Sequence, residues 1–138
     1  MLQPKRTKYR KPQGLSYEGL AKGGTKVQYG DYGLQAVTGA YVTNRQIESA
    51  RIVLARYTRK GGKAFIRIFP DLGKTKKPAE VRMGSGKGSV DVWVSPVKKN
   101  RIMFEISGVD EVTAKKALHQ VSYKLPNRTK VVKKGQEN

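Results

Sequence analysis

Side chains able to do covalent or metal chemistry are scarce in this chain, and their spacing excludes most reactions. Histidine occurs once, at His119, and cysteine not at all. A nucleophilic triad needs a base beside an activated hydroxyl or thiol. A structural metal site needs several histidine or cysteine ligands, so His119 alone supports neither. The 10 acidic residues show no Asp-x-Asp or Glu-x-x-His spacing for a metal, and no obvious pair for general acid and base work. Gly84-Ser85-Gly86-Lys87-Gly88-Ser89 superficially resembles a phosphate-binding loop, because backbone amides and a lysine can cradle phosphate oxygens. Its spacing differs from the nucleotide motif, which places four residues between the first glycine and Gly-Lys and then opens a helix; here a strand is expected. The dinucleotide fingerprint fails as well, since Ser89 stands where its last glycine belongs. No enzyme, cofactor, metal or small-molecule substrate is expected. The loop reads either as a mobile hairpin or as a backbone contact to phosphate.

Positive charge is what the chain has in abundance. Lysine and arginine number 29 against 10 acidic residues in 138, a net +19, and that self-repulsion calls for a polyanionic partner. Nucleic acid is favoured over an anionic membrane or an acidic protein because the basic residues alternate with glycine, aromatic residues and folded segments. The candidate contacts are Lys5, Arg6, Lys8, Arg10 and Lys11 near the N-terminus, then Arg45, Arg51, Arg56, Arg59 and Lys60, then Lys74, Lys76 and Lys77 in a polar loop. Arg82 and Lys87 flank the glycines of the later loop. Tyr9, Tyr17, Tyr29 and Tyr32 could stack on unpaired bases, but packing within a sheet is an equal alternative for Tyr29 and Tyr32. No apolar run follows the basic N-terminus, so no secretory signal is expected, and no segment suits a membrane span. The lack of cysteine fits a reducing, cytoplasmic setting.

The elements that position these residues follow from periodicity. A chain of 138 residues has room for one domain with one core. Residues 1–25 form a basic arm with too few large aliphatics to order itself by burial, residues 26–132 the RNA-binding domain, and residues 133–138 a tail. From Val27 to Val42 short strands joined by turns are expected. Thr43-Asn44-Arg45-Gln46 fits a capping box and opens a helix for which Gly61 is a natural stop. Ile47, Ala50, Leu54 and Tyr57 make its apolar stripe, with Arg45, Ser49, Arg56, Arg59 and Lys60 on the other side. Lys63 to Phe69 reads as a strand closed by Pro70, with Phe65, Arg67 and Phe69 on one face. Ala79 to Arg82 is expected to be extended, and Val90 to Val94 and Arg101 to Ser107 to be strands. Asp110 should cap a second helix that carries Ala114, Ala117, Leu118, Val121 and Leu125 on its buried face and ends at Pro126, with His119 opposite, near Lys115, Lys116 and Tyr123. An edge strand is expected around Val131-Val132. Strands mixed with two helices, without regular βαβ alternation, predict an α+β fold: one compact domain of mixed, largely antiparallel strands with basic extensions at both ends.

Three stretches together resemble one family, bacterial large-subunit ribosomal protein sixteen. Met1-Leu2-Gln3-Pro4-Lys5-Arg6-Thr7-Lys8-Tyr9-Arg10-Lys11 is similar to the family's N-terminal arm. Arg45-Gln46-Ile47-Glu48-Ser49-Ala50-Arg51 resembles its first helix, and Lys60-Gly61-Gly62-Lys63 leading into Phe65-Ile66-Arg67-Ile68-Phe69-Pro70 its next strand. The most specific match is Arg82-Met83-Gly84-Ser85-Gly86-Lys87-Gly88, with Trp93 following. The family usually has tryptophan where Phe65 stands, which makes Phe65 an expected core aromatic, and residues 13–26 match no family motif. The resemblance implies a fold of the α/β-hammerhead type, docked on large-subunit (23S) ribosomal RNA near the elbow of incoming transfer RNA and beside neighbouring large-subunit proteins. It also implies that the arm and the loop Arg82, Met83, Gly84, Ser85, Gly86, Lys87 and Gly88 point towards the peptidyl transferase region. A free-standing RNA chaperone and a cationic membrane-surface protein are the competing readings. The apolar stripe of the first helix is narrow and includes Ala50, which disfavours the membrane.

Overall fold

Alternating apolar residues and one capping box account for most of the architecture. The computed structural model describes residues 17–75 and 90–136. Within them the order is β1 (Tyr32–Ala36), β2 (Ala40–Thr43), α1 (Asn44–Tyr57), β3 (Lys63–Ile66), β4 (Leu72–Thr75), β5 (Val90–Val97), β6 (Ile102–Ser107), α2 (Glu111–Ser122) and β7 (Thr129–Lys133). The strands form a four-stranded sheet, β3-β6-β1-β7, and a three-stranded sheet, β2-β5-β4. All their pairings are antiparallel, giving the expected α+β domain with two helices. The extended segment expected from Ala79 to Arg82 lies outside the described residues.

Both helices cover one face of the larger sheet. Ile47, Ala50 and Leu54 of α1 and Ala114, Ala117, Leu118 and Val121 of α2 are fully buried against Leu34, Ala36, Phe104 and Ile106. The isoleucine, leucine, valine and phenylalanine side chains contribute about 1.5–3 kcal/mol each on burial and the alanines less, so the apolar stripes rather than intrinsic propensity fix the helices to the sheet. A bulge modifies the pattern in β6. Leu34 pairs with Phe104 but Gln35 with Ile102, leaving Met103 unmatched, so Met103 and Phe104 both enter the helix-side core while Ile102 joins Val27 and Val132 on the opposite face.

That opposite face is crossed by the segment from residue 24 to 30. Ile102 N donates to Gly24 O at 2.7 Å, and Val27 packs where Gly33 has no side chain: a Cβ at Gly33 would lie 2.8 Å from Val27 Cγ2. Residues 19–21 also run beside the β5–β6 turn, with Ala21 N donating to Lys99 O at 2.9 Å. This part of the expected arm is therefore ordered by backbone hydrogen bonds and not by apolar burial, since Leu20 is exposed.

Several expected boundaries shift for local reasons. Helix α1 ends at Tyr57, before Gly61, because Thr58 Oγ1 donates to Leu54 O at 2.9 Å and takes the C-cap; Gly61 follows with φ +114° in the turn. Asp110 holds the N-cap of α2 without a side-chain capping bond, and the helix closes at Ser122 before Pro126 is reached. Strand β3 stops at Ile66, although Arg67 N still donates to Met103 O at 2.9 Å. Phe65 is not a core aromatic. It pairs with Glu105 on the face away from the helices and is only partly buried.

Candidate nucleic-acid interface

Burying one stripe of α1 turns its other side to solvent. Thr43 caps the helix as its spacing predicts, accepting from Gln46 N at 3.2 Å while Gln46 Oε1 accepts from Thr43 N at 2.8 Å. With that rotation fixed, Arg45, Arg51 and Arg56 are exposed on the helix, while Arg59 and Lys60, expected on its polar side, are exposed in the turn that follows it because Thr58 already caps α1. They are not equivalent. Arg51 Nε donates to Glu48 Oε1 at 3.1 Å, and this hydrogen bond holds the Glu48 carboxyl below its ordinary value and raises the Arg51 guanidinium. Arg51 thus presents a paired charge.

Arg56, Arg59 and Lys60 meet a second surface. Together with Tyr57, Gly62, Gly108, Val109, Asp110 and Thr113 they line a cavity of about 570 Å³ between the end of α1 and the start of α2. Two glycines make its junction: Gly108 has φ +76°, and a Cβ there would lie 3.0 Å from Gly62 Cα. Three cations face one carboxylate, Asp110, whose side chain makes no helix-capping bond. A cavity with this excess of guanidinium and ammonium groups suits phosphate oxygens, which arginine can bind in two-pronged fashion.

On α2, His119 sits on the exposed side, within 2.8 Å of Tyr123 Oη through Nε2. Lys115 beside it is bonded to Glu111 at 3.2 Å. Of the two tyrosines with two possible roles, Tyr32 is 8% exposed and belongs to the core, whereas Tyr29 is 63% exposed. Tyr17 packs edge-on against Tyr41, with ring centroids 4.8 Å apart. Lys74 lies on β4. Lys5, Arg6, Lys8, Tyr9, Arg10, Lys11, Lys76 and Lys77, and the loop from Arg82 to Gly88, lie outside the described residues. Among the described residues no cluster of three or more histidine or acidic side chains could hold a metal ion, and no helix is long and apolar enough to cross a membrane.

Sequence reasoning grouped Arg56, Arg59 and Lys60, the last two in the turn after α1 and not on the helix, but missed their junction with the start of α2, because the contact between Gly62 and Gly108 is not local in sequence. The model of the family described as ribosomal protein L16p/L10e matches residues 4–132 of the chain. The chain belongs to this family. The match extends through the N-terminal arm and the glycine loop as well as the domain. Among relatives, the large ribosomal subunit protein uL16 of Spiroplasma citri is 59% identical over 137 residues, covering 99% of this chain and 100% of the relative. That of Acholeplasma laidlawii is 58% identical, covering 99% of each chain, and that of Clavibacter sepedonicus 55% identical, covering 97% of this chain and 96% of the relative. The L16p/L10e family is thus shown over nearly the whole chain, and the cation-lined cavity falls inside the matched region.

Proposed function

We propose that this chain is a structural, non-enzymatic component of the large ribosomal subunit that binds large-subunit ribosomal RNA chiefly through phosphate contacts. Its relatives are named large ribosomal subunit proteins, and the observation in the domain itself that carries RNA binding is the cavity where Arg56, Arg59 and Lys60 converge. Release of counterions from RNA phosphates supplies the driving force for a chain of net charge +19. Arg45, on the same side of α1 as Arg56, and Arg51, about 120° round the helix, add further contacts. Lys5, Arg6, Lys8, Arg10 and Lys11 of the arm, with Lys74, Lys76 and Lys77, add further phosphate contacts.

The finer reading rests on family resemblance. The arm and the loop from Arg82 to Gly88 reach towards the peptidyl transferase region, where the loop helps to position transfer RNA. Three glycines remove side-chain bulk so that backbone can approach RNA, and Arg82 and Lys87 supply charge. Native lysate separated on a sucrose gradient tests the coarse reading. The protein should travel with the large subunit and leave it only at high salt. Recovery mainly in the soluble fraction would favour a free RNA chaperone instead. Ribosomes carrying Arg82→Ala and Lys87→Ala at normal occupancy should bind transfer RNA more weakly and form peptide bonds more slowly. Unchanged rates in both assays would refute the positioning role.

A further inference from the structure

An exposed tyrosine that the fold holds still is the feature which phosphate binding leaves unexplained. Tyr29 is 63% exposed, yet its backbone N–H donates to Glu105 Oε1 at 2.7 Å, as do those of Gln28 at 3.1 Å and Gly30 at 2.7 Å. Glu105 is itself fully buried. The short loop is pinned because Gly30 lies against β6, where a Cβ would meet Ile106 O at 2.7 Å. Beside Tyr29 the Phe65 ring lies 5.8 Å away, tilted by 32°, and the Arg67 guanidinium carbon sits 5.4 Å from the Tyr29 ring centroid. Tyr29, Ala64, Phe65, Ile66 and Arg67 line an open cleft of about 550 Å³.

We infer that the Tyr29–Phe65 cleft is a stacking site for an unpaired nucleobase of RNA, separate from the phosphate cavity at the end of α1; this rests on the chain being an RNA-binding protein. Two aromatic rings at a sheet surface offer a base the flat apolar contact that single-stranded RNA recognition uses. The surroundings fit a polyanion. Lys26 and Lys63 are exposed on either side of the cleft in sequence, Lys63 lies two residues before Phe65 on the same strand face, and Lys134 Nζ reaches Gln28 O at 3.5 Å. Arg67 is a positioning residue here. Its Nη1 donates to Glu105 Oε2 at 2.7 Å and to Lys26 O at 2.6 Å, which holds the tyrosine segment in place before any base arrives and lowers the ordering cost of binding.

The test uses the full chain with two probes: large-subunit ribosomal RNA, and a short oligoadenylate beside an abasic oligonucleotide of equal length. Wild type should prefer oligoadenylate to its abasic counterpart, and Tyr29→Ala should erase that preference. On ribosomal RNA Tyr29→Ala should lose roughly 5- to 100-fold in affinity with an unchanged salt slope, because a stacking contact releases no counterions. Tyr29→Phe should bind as wild type does. Since Tyr29 is exposed, the thermal transition of each variant serves as the folding control. If wild type binds ribosomal RNA but Tyr29→Ala binds it equally well, the stacking site is refuted while the RNA-binding function stands; if wild type fails to bind ribosomal RNA, that function fails first. A Tyr29→Ala protein that binds free RNA normally but drops out of assembled subunits would also overturn the inference, by assigning the cleft to a neighbouring protein.

Discussion

Arg67 Nη1 donates to Glu105 Oε2 at 2.7 Å, across a pair whose acid is 0% exposed and whose base is 13% exposed. The other carboxylate oxygen accepts three successive backbone N–H groups, from Gln28, Tyr29 and Gly30. One buried carboxylate therefore satisfies four donors and ties β6, the residue that follows β3 and the crossing segment together. Removing Arg67 leaves that charge buried without its partner, which typically costs about 3–5 kcal/mol. Arg67→Ala should lower the urea midpoint accordingly, and hydrogen exchange at Gln28, Tyr29 and Gly30 should speed up. Full protection of those three amides in Arg67→Ala would show that Glu105 holds the segment unaided.

Thr43→Ala removes the side-chain half of the capping box. The expected loss is about 1 kcal/mol in equilibrium unfolding, with RNA binding by the folded protein unchanged because the cations of α1 keep their places. A loss of several kcal/mol would mean that Thr43 also matters to β2, whose last residue it is.

Thr43 also marks what could be read from sequence. The capping box, the stripe of Ile47, Ala50 and Leu54, and the buried positions Ala114, Ala117, Leu118 and Val121 of α2 all follow from spacings of three and four residues and lie where expected, whereas Leu125 falls beyond the helix end and is only partly buried. The misplaced side chains, unlike the helix ends shifted by local capping, have a common origin in contacts between distant residues. Tyr29 and Tyr32 are both candidates by type, and only the pinning of the 24–30 segment by Glu105, more than 70 positions along the chain, puts one outside and the other in the core. Phe65 and Arg67 share a face as alternation requires, but alternation does not say which face the helices cover. Strands β1 and β2 are separated by three residues and enter different sheets, partly because Gly39 admits a close crossing in which a Cβ would meet Tyr17 O at 2.4 Å. In the cation cavity Arg56 follows from helical periodicity, Arg59 and Lys60 lie in the turn after α1, and the α2 half is tertiary.

Gly33→Ala should destabilise the domain by about 1–3 kcal/mol, the usual cost of overpacking, since the added methyl would press on Val27 Cγ2 at 2.8 Å. Combining it with Val27→Ala should cost less than the two single changes added together, because the clash partner has gone. Strict additivity in urea unfolding would place the strain elsewhere.

Glu48→Gln should strengthen RNA binding. The carboxylate is paired with Arg51 and held below its ordinary value of 4.5 by the hydrogen bond from that side chain, so at neutral pH it stays charged and occupies the arginine. Releasing Arg51 for one more phosphate contact should raise affinity a few-fold and steepen the salt dependence by up to about one contact, near 0.9 in slope. Stability should hardly move, since both groups are exposed. The sign follows from the lowered carboxyl: what little the pair adds is present above the ordinary carboxylate range and is lost as the pH falls through the lowered value. An unchanged slope in filter binding would show that Arg51 does not face RNA.

The cavity at the end of α1 gives the most direct check on phosphate binding, because its charges can be changed without touching the core. Arg56, Arg59 and Lys60 are exposed, so replacing all three with glutamine should leave the unfolding free energy within about 0.5 kcal/mol per site. Each phosphate contact contributes a slope of about 0.9 in log affinity against log salt. If all three cations meet phosphates, the variant should lose between two and three units of slope, and about eightfold in affinity per contact at 0.1 M salt. Asp110 supplies the opposite arm. It lines the same cavity and makes no side-chain capping bond, so Asp110→Asn keeps a good N-cap residue while removing the one carboxylate that opposes a bound phosphate. Its affinity for large-subunit ribosomal RNA should rise. A triple variant with the wild-type slope, together with an Asp110→Asn variant of unchanged affinity, would rule out this cavity as a phosphate site and leave the arm and the loops to carry the RNA contacts.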